Sequence, residues 1–287
     1  MKSSPQMPLL HSILWIVGSC LVCSGVSYKL LQNYKNKTGK KPSQVVSYIV
    51  QTGFQKEALH SDYLAELLEL SMDEPKLLAS LDEKKAQQKL LSSPVIQEAS
   101  FKKIEPNMVY IDYTVRRPLG WAADFINTAI DKDGYLFPVY PFFSPKKLPE
   151  IYLGTLGVQE ALQEKTPSFE IPLKGKYTDL AFEVLDLMQQ EGKDQFRVKK
   201  VDVSAAFAPT LGKREIVVTL ENELQGVELY SVHFLRLSTK QFAKEIINYI
   251  SLRPHLIEMD QQEALVGNRK FQERVIDLRV SQLAFID

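Results

Sequence analysis

Residues 275 to 287, VIDLRVSQLAFID, alternate with period two. Ile276, Leu278 and Val280 fall on one face and Asp277, Arg279 and Ser281 on the other, which predicts a half-buried strand. Beyond Ser281 the phase shifts, and Leu283 and Phe285 are apolar on the opposite parity. A bulge near Ser281 and Gln282 produces such a shift, and so does a strand end that faces something other than the protein's own core. An open strand with Leu283 and Phe285 outward is an aggregation hazard unless a partner pairs with it.

Before that segment the pattern divides into two units. VVSYIVQTG alternates weakly and predicts a strand ending at Gly53. SDYLAELLELS places Leu64, Leu67, Leu68 and Ser71 on one helical face with Ser61 as N-cap. Ser80 followed by Glu83 is a capping box for a second helix, which must stop before Pro94. VIQEASFKK is a strand with Ala99 and Phe101 opposed to Glu98, Ser100 and Lys102; Pro106-Asn107 turns the chain. MVYIDYTVRR then sets Val109, Ile111, Tyr113 and Val115 on a single face. These parts predict a three-stranded sheet with two helices on one face, closed by Pro118 and Gly120.

The second unit opens with FINTAIDKDGYLFPV, where Asp133-Gly134 between apolar runs signals a hairpin. Asp131-x-Asp133-Gly134 is similar to part of a calcium loop, but Ala129 and Tyr140 stand where its first and twelfth ligands belong. Residues 138 to 175, rich in proline and glycine, yield no assignment. KYTDLAFEVLDLMQQ carries a full amphipathic stripe from Tyr177 through Leu180, Ala181, Val184 and Leu185 to Met188, a core filler. FRVKKVDVSAA, REIVVTLEN and GVELYSVHFLRL read as three strands. Ser238-x-x-Gln241 caps a further helix with Phe242, Ile246, Tyr249 and Ile250 inward and Pro254 beyond its end. The expected fold class is α+β, with an antiparallel-leaning sheet and packed helices in the second unit.

The amino-terminal region changes the picture. The apolar run from about Leu9 to Tyr28 contains no Lys, Arg, Asp or Glu and meets the roughly 20 residues a helix needs to cross a bilayer. A cleaved signal peptide needs an A-x-A-like site, which is absent. A lipoprotein box at Val17-Gly18-Ser19-Cys20 is followed by more apolar chain through Leu21, Val22 and Val26. The expected layout is a cytoplasmic tail over 1–8, a transmembrane helix over 9–31, a polar linker over 32–44, then units over 45–117 and 118–287. Lys29, Lys35, Lys37, Lys40 and Lys41 follow the run and only Lys2 precedes it, so the charge rule by itself puts the larger part in the cytoplasm.

Composition removes several function classes. Cys20 and Cys23 are the only cysteines, so the units beyond them hold neither a disulfide framework nor a thiolate metal site. Lys plus Arg and Asp plus Glu each number 35 among 287 residues, and no basic block favours nucleic acid. His11, His60, His233 and His255 are scattered, and no nucleophile elbow, P-loop or dinucleotide fingerprint occurs. No enzyme and no cofactor is expected, although a site built from carboxylates alone leaves no local signature.

Three segments in this order resemble the FtsQ/DivIB family of bacterial cell-division proteins. SPVIQEASFKKIEPNMVYIDYTVRRPLGWA is similar to the end of that family's POTRA domain, with Pro94, Ile96, Ala99, Phe101 and Lys103 in place before Arg116-Arg117-Pro118. FINTAIDKDGYLF resembles the hairpin that follows it, and RVIDLRVSQLAFI the closing strand. The resemblance implies a POTRA-like βααββ unit over 45–117 and a non-catalytic scaffold. It also implies a single pass through the inner membrane with both units outside the cytoplasm, opposite to the lysine count; we follow the resemblance. Its partners would be an FtsB-type coiled-coil protein, itself paired with an FtsL-type one, and upstream divisome components. Matched by position, Arg279, Val280, Gln282 and Leu283 lie at the FtsB-type contact, and Ala284 and Phe285 continue it. Val280 stands where an aromatic residue is familiar and Leu283 where a glycine is. Glu98, Phe101 and Lys103 match positions of upstream recruitment, with sheet core the alternative for Phe101. Two other classes remain: a POTRA-bearing envelope assembly protein, and a membrane-anchored envelope enzyme using unplaced carboxylates.

Overall fold

The computed structural model describes residues 24–30, 32, 44–52, 58–144, 146–163, 166–193, 195–223, 230–267 and 271–287. The first sheet has three strands, β1 (Tyr48–Thr52), β2 (Ile96–Ile104) and β3 (Met108–Val115), in the order β1-β3-β2. β1 runs parallel to β3, Tyr48 opposite Met108 and Thr52 opposite Asp112. Parallel neighbours need a long crossover, and the chain between these strands carries α1 (Ser61–Leu67), a 3₁₀ turn (Leu78–Ser80) and α2 (Glu83–Leu91). Val109, Ile111, Tyr113 and Val115 are buried on one parity of β3.

Both helix starts differ from the sequence expectation. Ser61 is the first helical residue rather than the cap, and its Oγ lies 3.2 Å from Gln51 Nε2, which donates to it. Leu67 ends α1, and Glu69 follows with φ of 54°. Ser80 belongs to the 3₁₀ turn that buries Leu78, where its hydroxyl donates to the Leu77 carbonyl. With Ser80 so used, Asp82 caps α2: its Oδ1 accepts from the Lys84 and Lys85 amides at 2.9 and 3.1 Å.

The second sheet has nine strands in the order β12-β11-β10-β9-β8-β7-β4-β5-β6. They are β4 (Gly120–Ala122), β5 (Thr128–Ile130), β6 (Leu136–Pro138), β7 (Glu150–Tyr152), β8 (Arg197–Asp202), β9 (Ile216–Glu223), β10 (Tyr230–Leu237), β11 (Phe271–Asp277) and β12 (Phe285–Ile286). Three helices accompany them: α3 (Gly154–Leu162), α4 (Lys176–Glu191) and α5 (Phe242–Gly267). The sheet is mixed. β4 with β7, β7 with β8 and β10 with β11 are parallel, and the remaining pairs are antiparallel. Two of the parallel pairs follow from helical crossovers, with α3 and α4 between β7 and β8 and α5 between β10 and β11, while β5 and β6 lie between β4 and β7. The α4 stripe (Tyr177, Leu180, Ala181, Val184, Leu185, Met188) shares one core with Val201, Val218, Leu235, Leu256 and Ile276. By compactness the chain divides into one unit of Met1–Thr52, His60–Lys89 and Ser100–Asp112 and another of Gly53–Leu59, Leu90–Ala99 and Tyr113–Asp287.

Two further expectations are corrected. Pro254 does not end its helix; α5 runs through it for 26 residues. A proline inside a helix costs about 3 kcal/mol, and here Leu256, Asp260 and Ala264 are buried beyond it and hold the second half in place. The fold class expected with a transmembrane helix over 9–31 is also overturned: among the described residues no helix is long and apolar enough to cross a membrane. Residues 1–23, 31 and 33–43, and with them the expected tail and most of the linker, lie outside the described residues.

The Asp133-Gly134 turn joins β5 to β6. Asp131 Oδ1 accepts from the Asp133 and Tyr135 amides, and its Oδ2 pairs with Arg116 Nη1 at 2.8 Å. Gly134 has φ of 87°, and a Cβ there would lie 2.5 Å from the Leu173 carbonyl oxygen. Gly134→Ala is therefore expected to lower unfolding free energy by roughly 1–3 kcal/mol, read from the urea midpoint; an unchanged midpoint would contradict the turn geometry.

Candidate partner-binding edge

β11 pairs in parallel with β10, from Tyr230 opposite Phe271 to Arg236 opposite Asp277. Ile276 and Leu278 are buried, as their parity requires. The shift of phase beyond Ser281 has a simple cause. The chain reverses through a turn at Ser281 and Gln282, where Gln282 takes φ of 66° and the Leu283 amide bonds the Val280 carbonyl at 3.1 Å. It returns as β12, with Phe285 opposite Asp277 and Ile286 opposite Ile276. The segment is a hairpin rather than a single bulged strand.

β12 stands at the end of the sheet order, and among the described residues no strand pairs with its other side. Val275 and Asp287 exchange both main-chain bonds, at 3.1 and 3.0 Å. The alternation of an antiparallel ladder then turns the amide and carbonyl of Ile286 away from β11. Val280, Leu283, Phe285 and Ile286 are 48, 57, 57 and 38% exposed, while Ala284 packs against the core. The edge thus offers main-chain hydrogen-bonding groups beside apolar side chains, the combination that accepts an extended peptide.

Of the residues expected at this contact, the structure brings Val280, Leu283, Ala284 and Phe285 together around β12 and puts Gln282 in the turn. Arg279 is different. It forms a fork on Asp277, with Nε 2.9 Å from Oδ1 and Nη2 2.6 Å from Oδ2, while its own amide donates to Oδ1 at 3.1 Å. Nη1 lies 3.3 Å from Glu215, which also pairs with Arg236 at 2.7 Å, and Arg236 reaches Asp277 at 3.3 Å. Two cations and two anions close on one another. Arg279 holds the Asp277 carboxyl below the usual carboxylate range and is itself raised in return.

Behind the hairpin lies a buried network that no sequence motif announced. Asp260 of α5 accepts from Ser231 Oγ and His233 Nε2 of β10 at Oδ2, and from Arg274 Nε of β11 at Oδ1, the last two at 2.7 and 2.8 Å. His233 Nδ1 meets Tyr249 Oη at 2.8 Å. Ser231, His233, Tyr249 and Asp260 have no exposed surface. Burial pushes the Asp260 pKa upward, but the hydrogen bonds from His233, Ser231 and Arg274 outweigh it and hold the carboxyl below its ordinary range. Burial pushes the Tyr249 phenol up. The carboxylate sits between serine and histidine, whereas a hydrolytic triad needs histidine in the middle and an accessible nucleophile. The geometry is that of a structural fastening. Its one trace in the sequence is polar Ser231 and His233 on the same parity as Leu235 and Leu237, the buried face of β10.

The recruitment residues expected on β2 do not form one surface. Glu98 is exposed, whereas Phe101 is buried in the sheet at 5% exposure. Lys103 is tied to the start of α2, donating from Nζ to the Leu81 carbonyl and from its amide to Glu83.

Asp260 and Asp277 both have folded pKa values below their unfolded ones, so the stability they add is present above about pH 4 and lost as pH falls through the folded values. Asp260→Ala is expected to cost about 3–5 kcal/mol at neutral pH, because it leaves Arg274 and His233 without their shared acceptor, and to flatten the acid limb of the profile. Urea unfolding between pH 3 and pH 7 checks both; wild-type stability and an unchanged acid limb would contradict the assignment. No protein-family model matches this chain, and no curated protein matches it.

Proposed function

We propose that this protein is a non-catalytic scaffold of the bacterial division machinery, of the FtsQ/DivIB kind, acting on the extracytoplasmic side of the inner membrane. The observation that carries the proposal is the β12 edge, which is unpaired on its outer side among the described residues and flanked by exposed Leu283 and Phe285. A strand added to it would satisfy outward main-chain groups such as those of Ile286, and pockets beside alternate side chains would select its sequence. The proposed occupant is an extended segment of an FtsB-type coiled-coil protein, itself paired with an FtsL-type one. Burying Leu283 and Phe285 would contribute roughly 1.5–3 kcal/mol each before ordering costs. The resemblance in SPVIQEASFKK, FINTAIDKDGYLF and RVIDLRVSQLAFI supports the family reading, and the POTRA-like stretch over 45–117 would serve upstream divisome components, with Glu98 and Lys103 its exposed matching positions.

The test is capture of the host's FtsB-type protein by the full chain from native membranes, with and without Leu283→Glu combined with Phe285→Glu. Both side chains are largely exposed, so the double variant should fold as the parent does, checked by its urea midpoint. Capture is expected to weaken at least about tenfold, the equivalent of 1.4 kcal/mol. Equal capture by parent and variant would defeat the proposal.

A further inference from the structure

The Arg279 guanidinium lies within 3.5 Å of four acceptors of its own chain: both Asp277 carboxylate oxygens, Glu215 Oε2 and, at 3.4 Å, the Gly212 carbonyl. A planar fork engaged in this way keeps little capacity for a further anion. We propose that Arg279 and Asp277 form an internal clamp that positions the β11–β12 hairpin, and that Arg279 is a positioning residue rather than a contact for the partner.

Little else holds β12. It is two residues long, and its register on β11 consists of two residue pairs. A hairpin arm this short is marginal by itself. Asp277 is one of the two β11 residues in that register, opposite Phe285, and Arg279 is the residue before the chain swings into the turn. The clamp spans that junction. Its side-chain fork and the Arg279 amide both close on the Asp277 carboxylate, which fixes the backbone between positions 277 and 279 where the turn departs. Arg236 of β10 and Glu215, just before β9, complete the charge set and tie the junction to the two strands behind it. The four charges sum to zero, and the exposed side chains beside them are apolar Leu211 on a 3₁₀ turn (Leu211–Lys213), Val280, Leu283 and Phe285, with charged Lys213 and Asp287. For the partner, which rests on the edge reading above, this leaves main-chain and apolar groups and the Asp287 carboxylate, with Arg279 already engaged.

Amide hydrogen exchange on the full chain, without partner, tests the clamp directly. In Asp277→Asn and in Arg279→Ala, exchange at the Asp287 amide, bonded to the Val275 carbonyl, is expected to rise about tenfold through local opening. Exchange at Val218 in β9 and Leu235 in β10 should stay as in the parent. Arg279→Lys, which keeps the charge and loses the fork, should fall between parent and Arg279→Ala. Unchanged exchange at Asp287 would overturn the clamp, and so would an equal rise in all three strands. Capture of the FtsB-type protein by the same variants separates the two readings. Weaker capture with unchanged exchange makes Arg279 a contact and removes the clamp. Faster exchange at Asp287, with capture untouched even by Leu283→Glu plus Phe285→Glu, keeps the clamp and removes the edge as the binding site.

Discussion

One buried carboxylate holds the carboxy-terminal third of the second sheet together. Asp260 stands on α5 and receives hydrogen bonds from β10 through Ser231 and His233 and from β11 through Arg274. β10 and β11 are parallel, so no tight turn can join them, and the crossover must be made by a helix. That helix contains Pro254, which removes a ladder bond midway. The half beyond the proline would be free to swing but for Leu256, Asp260 and Ala264, all buried. A charge in this position is costly to desolvate, and its worth lies in specifying one arrangement rather than in surplus stability. Only one placement of α5 gives Ser231, His233 and Arg274 their common acceptor, and that placement fixes β11 beside β10.

The open edge follows from this placement. β11 supplies the surface on which β12 folds back, and the Asp277–Arg279 pair sits at the point of departure. Edge strands in soluble proteins are commonly kept short or twisted away to prevent unwanted pairing. β12 is short, yet it is bordered by exposed Val280, Leu283 and Phe285 in place of the usual charges. Shortness limits self-association. The internal neutralisation of Asp277, Arg279, Arg236 and Glu215 removes long-range charge from the same place.

Periodicity made legible whatever depends on local pattern. The α4 stripe, the strands β8 to β10 and the burial of Ile276 and Leu278 could all be read because core parity is written in residue order. What failed needed a tertiary partner to decide it. Ser80 and Asp82 are both good caps, and the choice between them turned on the burial of Leu78 in the preceding turn. Pro254 looked like a helix end because the burial of Leu256, Asp260 and Ala264 beyond it is decided only when α5 packs in the fold. The reversed parity of Leu283 and Phe285 was visible, but a turn and a bulge leave the same mark in sequence, and only the antiparallel return of β12 separates them. Arg279 was placed at the edge by the family resemblance, and its fork on Asp277 and its approach to Glu215 appear only in the fold. The uncharged apolar run and its flanks suggested a membrane helix over 9–31, whereas among the described residues no helix is long and apolar enough to cross a membrane.

The central claim is that the molecule meets its partner at the outer side of β12. Site-specific photocrosslinking in living cells tests it most directly, with the photoreactive residue placed at 285 in one full-length variant and at exposed Leu156 on α3 in another. The account predicts an adduct between position 285 and a small coiled-coil protein of the division machinery, and none from position 156. Adducts from position 156 with none from 285 would contradict it.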